Sequence, residues 1–290
     1  MCGELLRLCL GGFCMSDLSN EVVVHVKDGE CEYLQFRKLL EYEGLVKHAY
    51  GLKPANFMTK RDKITEEEFK KSLNNYEKLC GKIGVDYNKL VKPCQMHTDV
   101  VKSVDDVGNT ICVENEKYAS TDGLVTDKEE VVLATTNADC ILLLLFDPVK
   151  RVIGNVHSGW KGTFQKIVEK AVNKMVEDYA CDVKDIICCI CPSIRKCHFE
   201  VEKEVKEMCE KAFSYTNQLD KIIEYVGKVD GMDKWVIDTV LLNKIMLEDC
   251  GLLVENIVDS GLCSVCNSEV VHSYRVEKEN YGLNAAILSL

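Results

Sequence analysis

The chain has 290 residues, enough to bury a substantial core and within the range of one α/β or α+β domain. Its 36 Lys and Arg stand against 47 Asp and Glu, a net charge of −11 with no long block of one sign. That balance argues against nonspecific binding to nucleic acid or to a membrane surface, both of which are anionic, and no run of about 18 apolar residues is present to span a bilayer.

Seventeen cysteines are odd in number and mostly set inside apolar runs such as Ile186-Ile187-Cys188-Cys189-Ile190-Cys191. They read as reduced, small hydrophobic residues of a cytoplasmic protein, not as a secreted disulfide framework. The opening Met1-Cys2-Gly3-Glu4 lacks the basic segment of a signal peptide. Met15-Ser16-Asp17 offers a second start position, so residues 1–20 are set apart as an N-terminal extension and 21–290 as one domain.

In chain order, Val22 to Val26 and Gly44 to Gly51 read as strands, and Lys60 to Lys63 as a basic loop. Thr65-Glu66-Glu67-Glu68 is a capping box, with Ile64 and Phe69 as a hydrophobic staple, and predicts a helix to about Gly81. Pro93 disfavours helix in Lys92-Pro93-Cys94-Gln95-Met96-His97, and the β-branched residues that follow suggest a strand. Thr121 to Thr126 is a turn and short strand leading into another at Val131 to Thr135.

The middle of the chain carries the strongest signal. Cys140-Ile141-Leu142-Leu143-Leu144-Leu145-Phe146 and Val152-Ile153-Gly154-Asn155-Val156-His157 flank an Asp-Pro turn, the pattern of strands buried on both faces. Joined by that turn they run antiparallel, which brings Cys140, opening the first, beside His157, closing the second. Gly159 and Gly162 then turn the chain out of the strand, and Thr163 is placed to cap a helix with Phe164, Ile167, Val168, Ala171, Val172 and Met175 on its apolar side. A strand, a glycine loop and a helix in succession suit an anion, although the spacing is not that of a Walker loop.

Further on, Asp185 to Cys191 reads as a strand. A helix with Val201, Val205, Met208, Cys209 and Ala212 on one face follows, then a helix over Asp238 to Cys250, a strand at Asn256 to Leu262 and a last strand at Asn284 to Leu288. Cys263-x-x-Cys266 lacks a second pair at finger-like spacing and reads as two ordinary thiols. His272 reads as a surface or supporting histidine, and Trp160 as packing under the glycine loop.

His97, Cys140 and His157 are each metal-capable and each sits at the margin of an apolar strand. Two imidazoles and one thiolate make a three-ligand zinc set with one open position, which is a catalytic arrangement. Their spacing matches no zinc finger, so on the residues alone a structural role for His97 stays open beside the ligand role.

Ala138-Asp139-Cys140, His157-Ser158-Gly159-Trp160-Lys161-Gly162 and Gln95-Met96-His97 resemble the signature elements of the YfiH-like family, also called laccase-domain or polyphenol-oxidase-like proteins. Pro192-Ser193-Ile194, Phe199-Glu200-Val201, Ser273-Tyr274-Arg275, Gly282 and Asn284-Ala285 extend the resemblance from about His48 to the C-terminus. It implies an α+β fold of mixed sheets packed with outer helices. It implies zinc (Zn2+) held by His97, Cys140 and His157, with Cys140, His157 and Arg275 in catalysis and Lys161, Gly159 and Arg275 at substrate or phosphate.

The implied activity is phosphorolysis of adenosine, inosine or guanosine, with methylthioadenosine as a further candidate, to free base and ribose 1-phosphate, and with adenosine deaminase activity beside it. Purine nucleosides and inorganic phosphate would be its partners, in a monomer or homodimer. Three departures stand out: Lys161 where the family usually has Arg, Leu283 for another Arg, and Cys191 for Gly. Lys lacks the planar fork of Arg, so a phosphate grip there would be looser. Rival readings are a copper polyphenol oxidase, a thiol hydrolase with Cys140 as nucleophile and His157 as base, and a metabolite-binding protein without activity.

Overall fold

The two apolar runs in the middle of the chain become neighbouring strands, and the rest of the molecule is layered on them. The computed structural model describes residues 17–29, 31–60, 62–105, 108, 110 and 116–290. The second start at Met15 and most of the 1–20 extension lie outside the described residues.

One sheet contains β1 (Val23–Asp28), β2 (Cys31–Phe36), β3 (Lys47–Gly51), β4 (Leu90–Val91), β7 (Val132–Asn137) and β15 (Asn284–Ser289), in the order β1-β2-β3-β15-β7-β4. A second contains β5 (Val101–Ser103), β6 (Gly123–Thr126), β8 (Ile141–Asp147), β9 (Val152–Ser158), β10 (Ile187–Ile190) and β14 (Ile257–Asp259), in the order β14-β10-β8-β9-β6-β5. A small third sheet joins β11 (Glu200–Val201), β12 (Ile223–Val229) and β13 (Met232–Ile237) in the order β11-β13-β12. Pairing is mixed: β4 with β7, β5 with β6 and β10 with β14 are parallel, and the remaining pairs are antiparallel.

The unbroken apolar run of β8 follows from burial on both faces. Leu142, Leu144 and Phe146 pack with Tyr50, Leu133, Ala286 and Leu288 of the first sheet. Ile141, Leu143 and Leu145 pack on the other side with Val168, Val172 and Met175 of the helix Ile167–Tyr179 and Leu242 and Met246 of the helix Thr239–Asp249. The outer face of the first sheet is covered by Phe69, Tyr76 and Leu79 of the helix Glu66–Ile83, of which Tyr76 and Leu79 meet Ala285 and Ile287 of β15 in one cluster. The result is a helix, sheet, sheet, helix stack, the α+β architecture expected. No helix among the described residues is long and apolar enough to cross a membrane.

The capping box forms as read: Thr65 accepts from the Glu68 backbone, the Glu68 carboxylate accepts from the Thr65 N–H, and the helix ends on left-handed Gly84. Asp238 caps the helix Thr239–Asp249 by accepting from the Leu241 N–H at 2.8 Å.

Four local expectations need correction. Thr163 does not start the helix after the glycine loop; it lies inside a short helix, Trp160–Phe164, capped by Gly159, and the long helix begins at Ile167 after left-handed Lys166. The Thr163 hydroxyl instead meets that of Ser158 at 2.9 Å in the buried interior. Of the apolar face assigned to the helix Lys203–Ala212, Val201 is buried but lies in β11 before the helix, Cys209 is buried, Val205 and Ala212 are half-buried, and Met208 is exposed. His97 lies in no strand and has φ +58°, and the strand after it begins at Val101. Strand β2 and the hairpin β12-β13 have no counterpart among the expected elements.

Candidate metal centre and active-site cleft

Pairing of β8 with β9 sets Leu142 against His157 and Ile141 against Ser158, so Cys140 falls next to the His157 end of the hairpin. His97 arrives from a separate loop, and the side chain that brings it there is Asp122, fully buried just before β6. One Asp122 oxygen accepts the backbone N–H of His97 at 3.0 Å and the Nδ1 proton of His157 at 2.7 Å. The other accepts from the Met96 N–H, the Thr98 N–H and the Thr98 hydroxyl at 3.2, 2.7 and 2.7 Å. Successive N–H groups converging on one carboxylate offset the cost of the left-handed turn at His97. Burial works to raise the Asp122 pKa, but the hydrogen bonds from His157 and Thr98 with the His157 charge outweigh it and hold the carboxyl at about 2.

With Nδ1 committed to Asp122, His157 offers Nε2 to a ligand, the tautomer control common at metal-bound histidines. Nε2 of His97 lies 3.7 Å from Cys140 Sγ, the two imidazoles stand at 83° with centres 4.9 Å apart, and one ligand atom from each of the three side chains falls within 4.8 Å of the others. Burial would raise the Cys140 thiol, yet His157 and His97 bring it down to about 6. Burial would lower His157, yet Cys140 and Asp122 raise it to about 9. The metal-free pair is thus a thiolate facing an imidazolium, the two protonation partners that a metal would replace.

Gly159 closes the arrangement. Its φ of −65° is open to any residue, so the turn does not explain it. Space does: a Cβ there would lie 2.6 Å from His97 Cδ2, 3.3 Å from Cys140 Sγ and 3.4 Å from His157 Cε1. A cradle that only a missing methyl keeps open, with two nitrogens and one sulfur around it, fits a tetrahedral ion with one free position.

The three residues line a cleft of about 870 Å³, large enough for a nucleoside-sized ligand with an anion beside it. Lys60, Lys63, Lys92 and Arg275 also line it, with Trp160, Phe199, Tyr274 and Tyr281 supplying aromatic wall. Loss of water around the Lys92 ammonium, helped by the charge of Lys60, brings it down to about 8. The Arg275 guanidinium donates to the carbonyls of His198 and Glu200 at 2.8 and 3.2 Å.

Asp139 turns away from this chemistry. Its carboxylate accepts from the hydroxyls of Ser264 and Ser273 at 2.6 and 2.7 Å and from the Arg275 N–H at 2.7 Å, so it anchors the segment that carries Arg275. Lys161 is exposed with its ammonium 5.5 Å from the Trp160 ring centre, and it does not line the cleft. Leu283 does. His272 is buried, with Nε2 3.0 Å from the Ala55 carbonyl oxygen and Nδ1 3.2 Å from Glu277, and Gly282 leaves room for its ring. Sequence reading had no hold on Asp122 or Lys92. Asp122 reads as a turn residue, and Lys92 becomes a wall residue only when separate loops meet.

The family described as multi-copper polyphenol oxidoreductase laccase matches residues 61–290. The chain belongs to that family. It is 28% identical to purine nucleoside phosphorylase YlmD of Bacillus subtilis (strain 168) over 244 residues, 79% of this chain and 85% of the relative. It is 31% identical over 199 residues to adenosine deaminase RL5 from an unknown prokaryotic organism, 68% of this chain and 73% of that one. Mouse purine nucleoside phosphorylase LACC1 is 33% identical over 181 residues, 61% of this chain but 39% of the mouse protein, so the chain spans about two fifths of the length of that relative. Among solved structures, the Bacillus licheniformis hypothetical protein YfiH superposes with a TM-score of 0.79 at 22% identity, covering 92% of this chain and 98% of that one, which bears out the fold.

Proposed function

We propose that the protein is a zinc-dependent purine nucleoside phosphorylase that cleaves adenosine, inosine or guanosine to free base and ribose 1-phosphate, with adenosine deamination as a second activity at the same cleft. The observation that carries this reading is the meeting of His97, Cys140 and His157 around an open cradle in a cleft walled by cations and aromatic rings. The names of the prokaryotic relatives support the substrate class.

Bound by His97, Cys140 and His157, zinc would supply a Lewis acid with one position free for an oxygen or nitrogen of the substrate. The chain's own residues account for the rest. Lys60, Lys63 and Lys92 are the cations nearest to hand for phosphate, a role expected of Lys161 from its place after Gly159 but better suited to side chains that line the cleft. Arg275, braced on two carbonyls, holds a positive charge at a fixed place, where it can offset charge as phosphate attacks the anomeric carbon and the purine departs. Phe199, Tyr274 and Tyr281 offer faces for the base. Asp122 stays ionised and keeps His157 in its tautomer throughout.

The supply of histidines speaks against a multi-copper reading. The chain has six, and three of them are engaged elsewhere: His25 with Glu32, His48 with the Phe36 N–H and His272 with Ala55 and Glu277. A Cys140–His157 pair would also serve a thiol hydrolase, but the second imidazole facing the same sulfur, that of His97, favours a three-ligand metal set over a lone nucleophile and base. The test is to incubate protein of known zinc content with inosine and with adenosine, with and without phosphate. Base and ribose 1-phosphate should form only with phosphate, and ammonia should form from adenosine. Release of base at the same rate without phosphate, or no turnover with zinc bound, would overturn the proposal.

A further inference from the structure

Far along the chain from the first ligand set, the fold assembles a second. Cys197 and His198 lie between β10 and β11, and Cys263 and Cys266 lie in the turn after β14. One ligand atom from each falls within 4.8 Å of the others. Cys197 Sγ is 3.7 Å from Cys263 Sγ, and His198 Nδ1 is 3.1, 3.6 and 3.6 Å from the sulfurs of Cys197, Cys263 and Cys266.

These spacings have a natural explanation. Tetrahedral zinc with bonds of about 2.3 Å to sulfur and about 2.1 Å to nitrogen holds its sulfurs about 3.8 Å apart and its sulfur–nitrogen edges at about 3.6 Å. The Cys197–Cys263 edge and two of the three sulfur–nitrogen edges lie within about 0.1 Å of those figures. The edge between the adjacent residues Cys197 and His198 is shorter by about half an ångström and would open on binding. A disulfide does not explain the cluster, because its sulfurs would stand about 2.05 Å apart. Nor does core packing, since Cys197 and Cys266 are exposed.

We infer that Cys197, His198, Cys263 and Cys266 form a structural zinc site, distinct from the His97, Cys140 and His157 centre. Four protein ligands leave no open position, so the ion holds structure and does no chemistry of its own. What it holds is the cleft wall. The His198 carbonyl accepts from the Arg275 guanidinium at 2.8 Å. Ser264, next to Cys263, donates its N–H to the Ser193 carbonyl at 3.0 Å and its hydroxyl to Asp139 at 2.6 Å. An ion tying the segment after β10 to the turn after β14 therefore fixes both the carbonyl that braces Arg275 and the serine that anchors Asp139. The inference does not rest on the proposed reaction, because the two ligand sets share no residue.

The test is zinc content by elemental analysis of protein purified in zinc sulfate under reducing conditions. C197S and C266S should each lose one zinc per chain relative to the parent, in the parent background and equally in H97A/H157A, which lacks the other ligand set. C250S, which removes a half-buried cysteine outside both ligand sets and the cleft, should lose none. Unchanged zinc content in C197S and C266S would overturn the inference. Should those variants fold poorly, the parent protein answers the question: iodoacetamide should leave Cys197 and Cys266 unmodified with zinc bound and label both after chelation. Equal labelling in the two states, or a Cys197–Cys263 disulfide in the zinc-treated reduced protein, would overturn it. Cobalt(II) loaded into H97A/H157A should show thiolate charge-transfer and tetrahedral ligand-field absorption that C266S weakens, and absence of both would count against it.

Discussion

Asp122 shows how one carboxylate can hold a three-residue centre together. It takes hydrogen bonds from the backbone beside one ligand and from the ring of another, so Asp122→Asn, with one accepting oxygen in place of two, should cost about 10- to 100-fold in metal affinity. Competition with a chromogenic chelator reads this directly. Gly159→Ala tests the cradle. Its methyl would meet His97, Cys140 and His157, so zinc content and turnover should fall together, by about 100-fold in turnover if the ligands shift by about 1 Å. Circular dichroism should be unchanged. Lys92 gives a pH signature. Its ammonium loses its proton near pH 8, so the KM for phosphate should climb as pH passes that value, and Lys92→Met should start high and show a flatter climb. At this scale Cys140 and His157 were legible because each breaks an apolar run. Asp122 and the lysines were not, because their roles exist only once distant backbone groups face them.

At the scale of the element, local signals and tertiary ones separate cleanly. The start of the helix Glu66–Ile83 was readable because a capping box is a matter of four neighbouring residues, whereas its end, expected near Gly81, falls at left-handed Gly84; Thr65→Ala should destabilise the protein by about 1 kcal/mol in a urea titration. The β8-β9 hairpin was readable because length and apolar continuity leave it no other place than between two layers. Strand β2 was missed because its Glu32 argues against burial, and the His25 imidazole, 3.0 Å away across the pair with β1, makes that burial tolerable. The hairpin β12-β13 carried a signal that went unused: Asp230-Gly231, both at positive φ, is the favoured two-residue turn between alternating strands.

For the whole molecule, layering decides which ionisable groups face acid badly. His48 is buried in β3, its Nε2 accepts the Phe36 N–H at 2.6 Å, and burial lowers its pKa from 6.5 to about 3. A group held below its unfolded value contributes fully above pH 6.5 and loses that contribution as pH falls toward 3, because only the unfolded chain takes up the proton. This histidine alone should remove on the order of 1 kcal/mol for each pH unit below 6.5. Thermal midpoints measured from pH 7 to 4 should fall accordingly, and His48→Gln should lower the slope. The α+β class came from the resemblance of the signature motifs, while apolar patterning showed only that β8 and β9 are buried on both faces. The order of strands within each sheet was not legible, since adjacency depends on contacts between segments far apart in the chain.

Strand β15 lies between β3 and β7, giving each an inner neighbour. During synthesis on a ribosome, β3 and β7 emerge long before residues 284–289, and until then both present bare edges to whatever else is in solution. The β8 face that packs on this sheet waits with them. A nascent chain therefore has reason to need a chaperone until residues 284–289 emerge, and loading of a metal at the proposed cleft site should follow the pairing of β15 with its neighbours.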